Sequence, residues 1–97
     1  MPMNPRLLRP RRRPTVPGAP TITGADGYTG MLTWSAPASN GGSIITKYRI
    51  HEDGFFIDEV NGDVLMWPSI AGPGTAYEVS AVNVVGEGPK SPAVIAS

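Results

Sequence analysis

From residue 20 onward, no patterned segment of this chain lasts longer than a strand before a glycine, a proline or an Asn-Gly pair interrupts it. No stretch longer than a turn carries the 3.6-residue apolar period of an amphipathic helix. Short extended runs with turn signals at close intervals predict an all-β, seven-stranded antiparallel sandwich. That expectation covers residues 18–97, preceded by an extended N-terminal arm over residues 1–17.

The strands are legible one by one. Thr21-Ile22-Thr23 is the first, and Gly24 to Gly30 reads as the turn after it. Met31 to Ser35 follows, with Leu32 and Trp34 on one face, and Pro37 stops it. Asn40-Gly41-Gly42 is a turn. Ile45 to Glu52 is the third strand, with Tyr48 and Ile50 inward and Lys47 and Arg49 outward. Asp53-Gly54 and Asn61-Gly62 both read as hairpin signals, with a strand from Phe55 to Val60 between them. Val64 to Ser69 is next, and Pro68 marks it as an edge strand or a bulge. Either Leu65 and Trp67 or Val64 and Met66 point inward there. Tyr77 to Val84 buries Tyr77, Val79 and Ala81, and Ala93 to Ala96 closes the sandwich.

Several of these residues resemble one family. Pro17 and Pro20 open the domain, and Trp34 stands in the second strand. Gly41-Gly42 leads through Tyr48 to Ile50, and Ala81-Val82-Asn83 leads to Gly86-Glu87-Gly88 and Ser91. Together these resemble a fibronectin type III domain, an immunoglobulin-like β-sandwich, over residues 17–97. The family usually places its corner tyrosine eight residues before that asparagine, whereas Tyr77 stands six before Asn83. Either the strand is two residues shorter here, or Thr75 occupies the tyrosine position. Both readings bury Tyr77 and leave the corner hydrogen bond open. The resemblance implies a binding or spacing module rather than an enzyme.

A formal net charge of zero hides a division. Arg6, Arg9, Arg11, Arg12 and Arg13 fall within the first seventeen residues, with no carboxylate among them. The remainder holds Lys47, Arg49 and Lys90 against eight carboxylates, a net −5. Asymmetry of this kind points to an interacting tail. Prolines at 2, 5, 10, 14 and 17 forbid a helix in it and favour extended geometry. At about 3.1 Å per residue such a leader reaches roughly 50 Å. Its arginines suit phosphates, a nuclear-import receptor or acidic protein surfaces, and Arg11-x-x-Pro14-x-x-Pro17 has the spacing of an SH3 ligand.

Other classes are disfavoured. There is no cysteine, hence no disulfide and no thiolate metal site. No apolar run is long enough to span a membrane, and Arg9 cuts off Leu7-Leu8 before a secretory apolar core can form. His51 is the only histidine and reads as a plain surface residue. Its neighbour Glu52 points to the opposite face, as Asp58 and Glu59 do from each other. Asp53, Asp58 and Asp63 lack the spacing of a calcium loop and fit turn chemistry. No phosphate-binding loop or nucleophile elbow is present. The loop after the sixth strand, Val84 to Lys90, lacks Arg-Gly-Asp. No cofactor is expected.

Trp67 is either core or an aromatic anchor on a binding face. Phe55 and Phe56 are consecutive, so one should face outward. The expected role is structural: the arginines at 6, 9, 11, 12 and 13 bind the subunits of a large assembly, and the sandwich projects from it in many copies. A chain starting at Met1, with one such domain, no signal and no cysteine, is similar to small accessory proteins of bacteriophage virions. That similarity implies decoration or reinforcement of a capsid or tail, or surface adhesion. The alternatives are attachment to nucleic acid through the arm, or a spacer module of a secreted multi-domain protein.

Overall fold

The computed structural model describes residues 14–97. Among these residues seven strands form: β1 (Thr21–Asp26), β2 (Met31–Ser35), β3 (Lys47–Glu52), β4 (Phe55–Asn61), β5 (Met66–Trp67), β6 (Ala76–Val82) and β7 (Val94–Ile95). They make two antiparallel sheets, one of order β1-β2-β5 and one of order β4-β3-β6-β7.

Alternation places the core. Tyr48 and Ile50 of β3 pair with Ala81 and Val79 of β6, and all four point inward. Leu32, Trp34, Trp67, Ile70, Tyr77 and Ala96 complete the buried cluster. Trp34 meets Tyr48 edge-on, with ring centroids 5.6 Å apart. Full burial of each large side chain contributes roughly 1.5–3 kcal/mol, which offsets the chain entropy lost on ordering.

Three expectations change. Gly24 is not in a turn: β1 runs on to Asp26, and a bulge between Ile22 and Gly24 absorbs Thr23. A Cβ on Gly24 would crowd Thr33 Oγ1, so glycine suits the bulge. The turn proper is Asp26–Gly30, where Asp26 Oδ1 accepts from the Tyr28 and Thr29 amides. Second, Asn61-Gly62 is not a hairpin. β4 pairs with β3, but β5 pairs with β2, so the chain crosses between sheets there. Gly62 is needed for closeness, since a Cβ would strike the Ile45 carbonyl. Asp53-Gly54, by contrast, is a true hairpin, with φ of 49° and 87°. Third, Leu65 does not turn inward with Trp67. It precedes the short β5 and stays exposed, while its carbonyl accepts from Trp34 N at 3.1 Å.

The sandwich has two distinct ends. At one, residues 14–16, the loop 36–46 and the loop 83–88 come together. At the other lie the turns Asp26–Gly30 and Asp53-Gly54 and the loop 71–75. Asp53 N bonds Ala76 O, Gly74 N bonds Ala96 O and Ser97 N bonds Ala25 O, which stitches that end together.

Candidate functional site

The leader arginines Arg6, Arg9, Arg11, Arg12 and Arg13 lie outside the described residues. The root of the leader is described, and it is bolted to the sandwich. Thr15 N donates to Gly41 O at 2.7 Å, and Pro17 is fully buried. Asn83, 3% exposed, holds the junction. Its Nδ2 donates to the carbonyls of Thr15 (2.6 Å) and Asn40 (2.9 Å), while its Oδ1 accepts from the amides of Val85 and Gly86. Every polar valence of that amide is used, which is what makes its burial affordable in free energy. Gly41 and Gly88 run so close to Thr15 and Pro17 that a Cβ on either would strike backbone. Around this junction Ile44, Val84 and Val85 are exposed.

The second candidate is the outer face of β4-β3-β6-β7. The sequence predicts a surface position for His51, and the structure corrects that: it is buried, 6% exposed. The loop after β6 folds back through a Val82–Glu87 bridge and lays Glu87 over the sheet. Glu87 Oε2 accepts from Ser80 Oγ and sits 3.3 Å from His51 Nε2, while its Oε1 accepts from Arg49 at 3.0 Å. Burial pushes the Glu87 carboxyl upward, but the Ser80 hydroxyl, the Arg49 charge and the His51 hydrogen bond together hold it below its ordinary value. The guanidinium of Arg49 also stacks on Phe56, 4.4 Å from the ring centroid. A cleft of about 300 Å³ opens beside this group, lined by Lys47, Arg49, Glu59, Val82, Gly86 and Glu87.

Serine, histidine and a carboxylate in contact invite comparison with a nucleophilic triad, and the geometry differs. In a relay the imidazole stands between the other two and uses both nitrogens. Here the same Nε2 faces both Ser80 Oγ (3.4 Å) and Glu87, and the Ser80 hydroxyl donates its hydrogen bond directly to the carboxylate. The three groups form a closed triangle that pins a loop. Sequence spacing hid this, because His51 is far along the chain from Ser80 and Glu87 and meets them only through the β3–β6 register and the Val82–Glu87 bridge.

The other acids are dispersed as turn and strand chemistry suggests. Asp53 Oδ1 accepts from Ala76 N, Asp58 Oδ2 accepts from Trp67 Nε1 at 2.9 Å, and Glu59 pairs with Lys47 at 2.9 Å. Among the described residues no group of three potential ligands could hold a metal ion. Trp67 is core, 9% exposed. Both phenylalanines are exposed, at the turn end of the edge strand β4.

No family model matches the chain, and no curated protein matches it. Solved structures do. A structure of the sixth fibronectin type III domain of a human fibronectin type III domain containing protein matches with 26% identity and a TM-score of 0.52, over 91% of this chain and 88% of that one. The titin kinase with its flanking domains matches with 23% identity and a TM-score of 0.61, over 84% of this chain. A crystal structure of titin domains matches with 24% identity and a TM-score of 0.54, again over 84% of this chain. The chain spans only 17% and 32% of those two titin chains.

This chain has the fibronectin type III fold.

Within the fibronectin type III sandwich the open question of the corner is resolved. Tyr77 itself makes it: its hydroxyl oxygen accepts from Ala71 N at 2.9 Å, back across the loop before β6. From six residues before Asn83, at the start of β6, the ring still reaches a backbone partner in the preceding loop. The fibronectin type III likeness is that of a β-sandwich module, and nothing among the described residues of this one forms a catalytic relay.

Proposed function

We propose that this fibronectin type III module is a non-enzymatic binding or spacing unit, held to a larger protein assembly by its leader. The observation that carries the reading is the charge division: five arginines without a carboxylate in the leader, against a net −5 beyond it. The leader enters the sandwich at one end, where Asn83 fixes Thr15. A cationic segment rooted at a rigid point suits an acidic protein surface and leaves the opposite end projecting. The setting we propose is a virion, on capsid or tail subunits present in many copies.

The test is a deletion of residues 1–13, stopping short of Thr15 and Pro17 because those belong to the fold. The truncated chain should keep its circular dichroism spectrum and thermal midpoint but fail to co-sediment with the assembled particle. Undiminished incorporation would refute the anchor. Nucleic acid is the competing target of the same arginines. It would show as binding to duplex DNA that weakens by about 0.9 log units per log unit of salt for each phosphate contact.

A further inference from the structure

We propose that the acidic surface taken by the leader includes the turn end of a second copy of this chain, so that copies associate head to tail. The inference rests on the reading of the leader as an anchor and names its partner.

The turn end presents aromatic surface. Tyr28 is 91% exposed and Phe55 is 74% exposed. They sit on the two turns that the Asp53–Ala76 and Ser97–Ala25 hydrogen bonds bring to one end. Beside Phe55, Phe56 already carries the Arg49 guanidinium on its face at 4.4 Å. Asp26, Glu52 and Asp53 flank the same turns and take no salt bridge among the described residues. Asp26 uses Oδ1 for turn amides and Asp53 uses Oδ1 for the Ala76 amide of β6, and no hydrogen bond to their Oδ2 atoms is present among the described residues. An arginine bound there gains a stacking face and a carboxylate together.

The complementary segment is in this sequence: Arg11-Arg12-Arg13, which immediately precedes Pro14. Geometry sends it to a neighbour. Residue 14 leaves at the loop end, beside Gly42, whereas Tyr28 and Phe55 lie at the opposite end. The seven residues of β6 run most of that distance, about 20 Å at roughly 3.3 Å per residue. Arg11 to Arg13 lie within three residues of Pro14, about 10 Å of chain, and so fall short of their own turn end. A leader-to-turn contact joins two different surfaces, which makes rows or rings rather than closed pairs.

The test uses two full-length variants and sedimentation equilibrium. One neutralises the leader (Arg11→Ser, Arg12→Ser, Arg13→Ser), and the other strips the turn end (Tyr28→Ser, Phe55→Ser). The native chain should self-associate at about 0.01 M salt, where screening reaches only beyond about 30 Å, and be monomeric near 1 M. Each variant alone should be monomeric, with thermal midpoints showing that both remain folded. Mixed, they should form a dimer of twice the monomer mass, because one supplies an intact leader and the other an intact turn end. A native chain that stays monomeric at low salt, a leader variant that still associates, or a silent mixture would each overturn the proposal. None of these results bears on whether the leader holds the chain to a particle, which the deletion of residues 1–13 tests separately.

Discussion

Asn83 Nδ2 donates to the Thr15 carbonyl at 2.6 Å, across sixty-eight positions of sequence. This bond ties the loop after β6 to the residue where the leader meets the fold. The same amide also reaches Asn40, so one side chain closes three segments at one end of the sandwich.

Asn83→Ala should therefore destabilise by about 2 kcal/mol, since it leaves several inward-facing backbone groups without partners. For a domain of this size that is a fall in thermal midpoint on the order of 8–16 °C, read by differential scanning calorimetry. Asn83→Asp keeps the acceptor contacts to Val85 and Gly86 but aims a buried carboxylate oxygen at the Thr15 and Asn40 carbonyls, and should cost at least as much at neutral pH.

Gly88→Ala tests the close approach on the other side of the junction. A Cβ there would strike the Pro17 carbonyl, which is backbone and has little room to move. The expected loss is about 1–3 kcal/mol, as for overpacking elsewhere. Gly54→Ala, whose added Cβ meets nothing within 4 Å, should suffer only from its positive φ of 87°. Parallel urea titrations of the two separate crowding from conformational strain.

Tyr77→Phe removes the hydroxyl that accepts Ala71 N–H and little else, because the ring stays packed against Trp67 at 6.2 Å. A loss of about 1–2 kcal/mol is expected, with the denaturant slope unchanged because the buried surface is conserved. A neutral result would mean that the corner bond carries no stability in this sandwich.

Glu87 should give the domain an acid-side weakness. Its carboxyl is held below the ordinary 4.5 in the folded state. The folded chain thus binds this proton less readily than the unfolded chain does. The corresponding stability is present in full above the ordinary glutamate range and is lost as pH falls below it. Glu87→Gln lacks that increment at every pH. The stability gap between native and variant should be widest near neutrality and shrink through the acid limb, as followed by urea unfolding at a series of pH values.

Much of the fold was written in residue order. Tyr48 and Ile50, or Tyr77, Val79 and Ala81, alternate so regularly that only one face can be buried. Asp53-Gly54 carries its hairpin in the conformational freedom of two adjacent residues. Asn61-Gly62 has the same look yet joins two sheets. The difference is made by Ile45, a residue far away, whose carbonyl needs the space that Gly62 leaves open. Gly24 misled for a similar reason, since its partner Thr33 decides whether a glycine bends a chain or relaxes a bulge.

His51 shows the limit most clearly. Nothing beside it in sequence suggests burial, because its cover comes from Glu87 on a loop that returns over the sheet. By itself the sequence determined the sandwich, its inward faces and the separation of a cationic leader from an acidic domain. These depend on local periodicity and on charges that can simply be counted. Only the tertiary structure decided which loops meet Thr15, what covers His51 and which end carries the exposed aromatics. Those outcomes depend on strand register and sheet pairing, through which residues distant in the chain become neighbours.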